Sequence, residues 1–424
     1  MRITLAYGKT GLPVSFPDDW GVTVVAPRHV AGVPDGRAAV RQALLAPIQA
    51  PALRDFARPG DRVGIIFSDI SRPTPHHLIL PPILEQLGQV PAENIVLFNA
   101  CGTHRKNTDA ELRAMLGDAL VDGYPIIQND ALDESTLACF GRTSRGHENW
   151  LNRDLMACDV KILTGFIEPH FFAGFSGGGK AIMPGMGGLR TIMGNHDAAS
   201  IADPRATWGI THGNPIWEEI YEVAAGVSRT FLVNVTLNRE KNITAVFAGD
   251  LDAAHAAGCA FVRQTAMAPV PHLYDIVVTS NSGYPLDLNL YQTVKGMSAA
   301  AQIVRPGGAI IAAAECWDGI PDHGLYGRLL REAKDPRELL ERIARPGFLQ
   351  QDQWQAQIQA LIQQKATVFV HSHHLTREQI RAALLEPCAS IEATTAALRQ
   401  QMGPGCRICV LPEGPQTIPY IAQA

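Results

Sequence analysis

The chain has 424 residues, with 36 basic against 41 acidic side chains and a formal net charge of −5. A content of 46% apolar and 18% charged residues excludes a disordered chain, and the near-even charge balance argues against a nucleic-acid binder. No apolar run approaches the roughly 20 residues that span a bilayer, and residues 1–9 lack the apolar stretch of a secretory signal. A cytoplasmic protein of two or three domains is expected, at roughly 100–200 residues per domain. Of the eight cysteines, Cys101, Cys139, Cys158, Cys259 and Cys316 lie in apolar segments and read as small buried hydrophobes. Cys406 and Cys409 form a C-x-x-C with no second pair, in a strand-like run.

In chain order, residues 62–67 form a short apolar run that ends at the polar turn 68–73. A helical stretch follows over 76–87, with Pro81-Pro82 marking a helix start within it. Next come a strand pattern at 94–98, the polar turn 101–105, and a third strand pattern at 159–164 leading into a glycine-rich segment. Strand, polar turn, helix, strand is the rhythm of βαβ units. In open α/β sheets ligands sit beyond the carboxyl ends of the strands, where all three turns fall. The pattern breaks at Pro269 and Pro271, and a second series starts, with strands at 275–279, 309–314 and 367–370 and a helix over 289–303. The expected fold is α/β, with mainly parallel sheets flanked by helices in two domains and an active site in the interdomain cleft. Residues 1–268 form the first domain, 272–411 the second, and the tail 412–424 packs back on the first.

The segment from Glu168 to Lys180 reads Glu-Pro-His-Phe-Phe-Ala-Gly-Phe-Ser-Gly-Gly-Gly-Lys. Gly174 to Lys180 satisfies G-x-x-x-x-G-K, but Ala181 stands where a nucleotide hydrolase needs a hydroxyl for magnesium. Glycine amides, with a following helix N-terminus, still suit a phosphate. Lys180, in an apolar setting, is a candidate nucleophile.

Among 14 histidines, His76, His77, His255, His272 and His323 read as structural or surface residues. His371, His373 and His374 cluster after a strand. His104, His170 and His196 each follow a strand or glycine signal in the first domain, and suit acid/base work or metal ligation. The bare residues leave open a zinc-dependent hydrolase using the three histidines, and a non-catalytic nucleotide-binding protein.

Ser68-Asp69-x-Ser71-Arg72-Pro73, Gly102-Thr103-His104-Arg105, His170 through Lys180 and Met193-Gly194-Asn195-His196 together resemble the lactate racemase family, which uses a nickel-pincer nucleotide. Tyr291-Gln292-x-x-Lys295-Gly296 and Asp352-Gln353-Trp354 fit it too, so the resemblance covers nearly the whole chain; Gly179 replaces the larger or basic residue of some relatives. The resemblance implies a 2-hydroxy acid racemase or epimerase that moves a hydride to and from the cofactor, pyridinium-3,5-bisthiocarboxylic acid mononucleotide nickel. Lys180 would be its covalent anchor and His196 its nickel ligand, with Asp69, Arg72, Ser176, Gly177 and Gly178 also on the cofactor. His104 and His170 would be the acid/base pair. Arg72 and Lys295 would hold the substrate carboxylate, with Gln292, Tyr291 and Trp354 lining the pocket. The implied partners are a small 2-hydroxy acid and the proteins that make and insert the cofactor, with no nucleic acid and no membrane. Arg105 and Arg190 read as solvated or paired cations, or as readers of the substrate's far end.

Overall fold

Runs of consecutive apolar residues become strands buried on both faces, as parallel sheets require. The computed structural model describes residues 1–322 and 324–422, so His323 and the end of the tail lie outside the described residues. The chain divides into two units: one of His29–His196 with Gly209–Arg263, the other of Met1–Arg28, Asp197–Trp208 and the chain from Gln264 onward.

The first unit holds strands β1 (Val63–Ser68), β2 (Ile95–Ala100), β3 (Ile126–Gln128), β4 (Val160–Phe166), β5 (Thr230–Leu237) and β6 (Ile243–Gly249). Their order is β6-β5-β4-β1-β2-β3, parallel except for the β5–β6 pair. The helices used below are α1 (His76–Gln86), α2 (Leu189–Asn195), α3 (Pro215–Ala225) and α4 (Leu251–Ala266). Ile65 and Phe67 of β1, Leu97, Ile162 and Val233 pack with Ile79, Leu80 and Ile83 of α1 in one core. Each such side chain contributes roughly 1.5–3 kcal/mol when fully buried.

Pro81 and Pro82 do not start a helix but lie inside α1. Pro81 has no N–H to give the carbonyl four residues back. The Arg37 guanidinium donates to that orphaned His77 oxygen instead, at 2.9 and 3.2 Å. His76, at the start of α1, is 1% exposed, and its Nε2 reaches the Ser68 carbonyl at 3.1 Å.

The second unit holds β7 (Tyr274–Ser280), β8 (Val304–Ala313), β9 (Ala366–His371), β10 (Glu386–Pro387) and β11 (Ile408–Leu411), with helices α5 (Leu290–Ala301) and α6 (Gln353–Lys365). Its sheet runs β10-β9-β8-β7-β11, then the short strand Thr23–Val24, all parallel.

The division differs from the expected 1–268 and 272–411. Leu5, Tyr7, Val14 and Phe16 share a core with Ile276, Val278, Ile408 and Val410, so residues 1–28 belong to the second unit. Residues 197–208 also belong there, tied by Trp208 Nε1 to Ser298 Oγ at 3.0 Å and by Gln357 Nε2 to the Ala198 carbonyl at 2.7 Å. The tail, expected on the first domain, belongs to the second unit. Its strand Ile418–Ile421 pairs in parallel with Met267–Val270, and Ile418 is fully buried. Cys139 is another correction, since it is exposed on the hairpin strand Leu137–Arg142. Among the described residues no helix is long and apolar enough to cross a membrane.

Two stability predictions follow from this packing. Ile418→Ala should cost about 2–5 kcal/mol in urea unfolding, the range for a buried aliphatic truncation; a loss under 1 kcal/mol would mean that the tail strand only lies on the surface. Burial, with the nearby His77 charge, pushes His76 from its ordinary value down to about 4. The unfolded chain therefore binds a proton that the folded one refuses, and the contribution of His76 is lost as pH falls from about 6.5 towards 4. At about 1.4 kcal/mol per pH unit, His76→Asn should lose roughly 2 kcal/mol less than the parent between pH 6.5 and 5. Equal losses would show that His76 does not carry this term.

Candidate active site

The strand order of the first unit reverses between β1 and β4, which leaves a crevice beyond their carboxyl ends. Asp69 follows directly on β1 and His104 lies on the turn after β2, while the glycine segment leaves β4.

Asp69 is 4% exposed and ties the first two turns together. Its Oδ2 accepts from His104 Nδ1 at 2.7 Å, and its Oδ1 from the Ser71 hydroxyl at 2.8 Å. Burial raises the Asp69 carboxyl, but the His104 hydrogen bond and the charges of His104 and Arg72 outweigh it, so it stays below the ordinary carboxylate range. A ring that donates from Nδ1 presents Nε2 as an acceptor. His104 is half-exposed and Arg72 exposed.

The glycine segment is folded by bonds to itself and to its neighbours. Pro169–His170 pairs with Gly174–Phe175. The Ser176 hydroxyl donates to the Phe166 carbonyl and accepts from the Glu168 N–H, both at 2.9 Å. Gly178 N–H donates to Asn234 Oδ1 at 2.8 Å, and His255 Nε2 to the Ser176 carbonyl at 2.9 Å. Gly177 and Gly178 have φ of +76° and +56°. A Cβ on Gly177 would lie 2.4 Å from Asn234 Oδ1, one on Gly178 2.8 Å from the His255 ring, and one on Gly179 2.8 Å from Ala224 Cβ. The three glycines thus permit close packing on β5, α4 and α3. The helix expected after them is a four-residue 3₁₀ turn, Gly178–Ala181, too short to offer a helix dipole.

Three candidate side chains meet on one ring that the sequence reading did not single out. Phe172 is 5% exposed. His170 meets it edge-on at 4.5 Å between centroids, His196 at 5.0 Å, and the Lys180 ammonium lies 5.6 Å above it. Asn214 Nδ2 holds the Phe172 carbonyl at 2.9 Å. The backbone N–H groups of Ala173 and Phe172 donate to His170 Nδ1, at 3.2 and 3.5 Å, which places the neutral ring's proton on Nε2. Burial, with the Lys180 charge, pushes His196 down to about 3, so its imidazole is neutral at pH 7.

Among the described residues, no three His, Cys, Asp or Glu side chains are grouped to hold a metal ion. That removes the basis for a zinc site on His104, His170 and His196. It also removes one for the His371–His374 cluster, where His371 Nδ1 donates to the Cys388 carbonyl at 3.0 Å.

Tyr291, Gln292 and Lys295 belong to the second unit, in the first two turns of α5, whose N-cap Asn289 accepts from Gln292 N–H at 3.0 Å. Trp354 on α6 donates its Nε1–H to the Tyr291 hydroxyl at 3.2 Å, and Gln355 Nε2 holds the Tyr291 carbonyl at 2.5 Å. Arg105 forms two bonds to Glu111, and Arg190 pairs with Glu134 at 2.9 Å and Glu148 at 3.5 Å. Both arginines are exposed and paired on the surface.

Residues 7–209 match the family model of the lactate racemase N-terminal domain, and residues 271–418 that of the lactate racemase C-terminal domain. A lactate racemase of Thermoanaerobacterium thermosaccharolyticum is 33% identical over 98% of this chain and 99% of its own length. One of Lactiplantibacillus plantarum is 35% identical over 88% of this chain and 89% of its own. The solved structure of the T. thermosaccharolyticum apoprotein superposes with a TM-score of 0.92 at 32% identity, over 99% of this chain and all of that one. A Thermotoga maritima protein, at 16% identity and TM-score 0.69 over 93% of this chain, shares the fold.

Asp69→Asn should move the neutral His104 proton from Nδ1 to Nε2, because an amide can donate where the carboxylate only accepts. Ring nitrogen NMR shifts read the tautomer directly; an unchanged tautomer would mean that Asp69 does not set it.

Proposed function

The chain belongs to the lactate racemase family, and from that premise we propose that it inverts C2 of a lactate-like 2-hydroxy acid, using a nickel-pincer nucleotide anchored on Lys180 and the histidines His104 and His170 as acid and base. The observation that carries this reading is the opposed hydrogen bonding of those two rings. His104 gives its Nδ1 proton to Asp69 and keeps Nε2 as an acceptor, whereas His170 accepts at Nδ1 and keeps a proton on Nε2.

The C2–H of a 2-hydroxy acid is too weakly acidic for an imidazole to remove, so the proton that histidine moves is that of the hydroxyl. When bound, the nucleotide supplies an acceptor for the C2 hydrogen with its electron pair. His104 Nε2 takes the hydroxyl proton from one enantiomer, and Asp69 stabilises the imidazolium that results. His170 serves the other enantiomer, whose hydroxyl points the opposite way: its Nε2 gives a proton to the oxygen of the 2-oxo acid on that side, and exchange with solvent resets both rings. A planar 2-oxo acid lies between them, open on both faces. Arg72 and Lys295 are the cations this reading gives to the carboxylate, with Gln292, Tyr291 and Trp354 beside it. An arginine fork fixes a carboxylate in orientation as well as in place.

The residues fit the group. His196 is neutral and buried, so it has a lone pair for a metal, and imidazole suits nickel. It shares the Phe172 ring with the Lys180 amine. His196 would be the protein's ligand to the nickel, and the nucleotide would supply the remaining donors. Ser176, Gly177 and Gly178 shape the loop that presents Lys180, and Asp69 and Arg72 border the same crevice. The reading is of a cytoplasmic isomerase that depends on other proteins to make and insert its cofactor.

Protein produced in a host that makes the cofactor should carry a mass adduct on Lys180 and interconvert the enantiomers of a 2-hydroxy acid on a chiral column. Lys180→Ala should lose both while keeping its circular dichroism; a full adduct in that variant would overturn the anchor. His104→Ala and His170→Ala should each lose at least about 10²–10⁴-fold in both directions. A variant near parental rates with both enantiomers would make that histidine structural.

A further inference from the structure

Glu219, on α3, is 2% exposed and has no part in the proton transfers above. Its Oε1 accepts from the Thr143 hydroxyl at 2.6 Å and from His147 Nδ1 at 2.7 Å, and its Oε2 from Asn195 Nδ2 at 3.0 Å. A buried carboxylate is costly unless its lone pairs are filled, and here three donors from two other segments fill them. Two of the three, Asn195 and His147, bear on the residues just before His196. Asn195 is fully buried and also donates to the Ile216 carbonyl at 3.1 Å. The His147 ring fills the space beside Gly194, where a Cβ would come within 2.8 Å of it. His196 itself closes α2, its N–H bonded to the Ile192 carbonyl at 2.9 Å.

We propose that Glu219 is a positioning residue for His196: through Asn195, and through His147 against Gly194, it fixes the end of α2 and so how firmly His196 holds nickel. The inference rests on the assignment of His196 as the nickel ligand. Groups that orient a metal ligand typically change metal affinity by about 10–100-fold when removed. Glu222, one turn along α3, ties the same hairpin tip through Ser144 at 2.6 and 2.7 Å and, among the described residues, shows no bond to α2, so it is the natural control.

The test uses cofactor-loaded protein and follows nickel release into excess EDTA, alongside the Lys180 adduct mass and thermal melting. Glu219→Gln should keep the adduct and lose nickel about 10–100-fold faster, while Glu222→Gln releases it at the parental rate. Should Glu219→Gln not fold, Asn195→Ala, which leaves Glu219 bonded to Thr143 and His147, should show the same acceleration. Parental release from a folded Glu219→Gln or Asn195→Ala, or equal acceleration in Glu222→Gln, would overturn the proposal. Parental protein with neither nickel nor adduct would overturn the proposed cofactor assignment, and this proposal with it.

Discussion

Because β1 and β4 are parallel neighbours whose successors lie on opposite sides of the sheet, the loops leaving their carboxyl ends part above a gap that no crossover covers. The chemistry-bearing side chains of the first unit depend on that gap. Asp69 reaches it from β1, His104 from β2, and the segment carrying His170 and Lys180 from β4. No single stretch of chain could bring His104, His170, Lys180 and His196 to one edge with such short loops.

The loop from Glu168 to Lys180 is rigid for reasons that are mostly polar. Ser176, Asn234 and His255 use their hydrogen bonds on its backbone, and Asn214 holds Phe172. The apolar part of the device centres on Phe172, with Phe171 packed against it and against His170. Edge-on aromatic contacts and a cation over a ring face are each modest, about 0.5–1.5 kcal/mol, yet Phe172 makes them with three functional groups at once.

The strands were readable because a run such as residues 62–67 is apolar at nearly every position, which only a strand covered on both faces permits. That His104, His170, His196 and Lys180 follow strand ends or glycines is plain in the sequence. Phe172 was not: in sequence it is one of several apolar residues, and its three contacts exist only after the loop has folded back. Glu219 was hidden for a similar reason, as a glutamate on an amphipathic helix whose partners are 24 to 76 residues away. Pro81-Pro82 looked like a helix start because Arg37, which takes up the freed carbonyl, lies far upstream. The allegiance of residues 1–28 was equally invisible, since a two-residue strand such as Thr23–Val24 carries no pattern that names its sheet.

The path of the chain has one more consequence. It passes between the two units after residues 28, 196, 208 and 263, whereas the two family models match two consecutive stretches, 7–209 and 271–418. A recombinant fragment starting at residue 271 would lack Leu5, Tyr7, Val14 and Phe16, and would leave Ile276, Val278, Ile408 and Val410 open along one face. Chimeras between relatives face the same arithmetic. Exchanging the second unit intact means grafting three separate stretches of sequence, and one of those junctions falls on the peptide bond directly after His196.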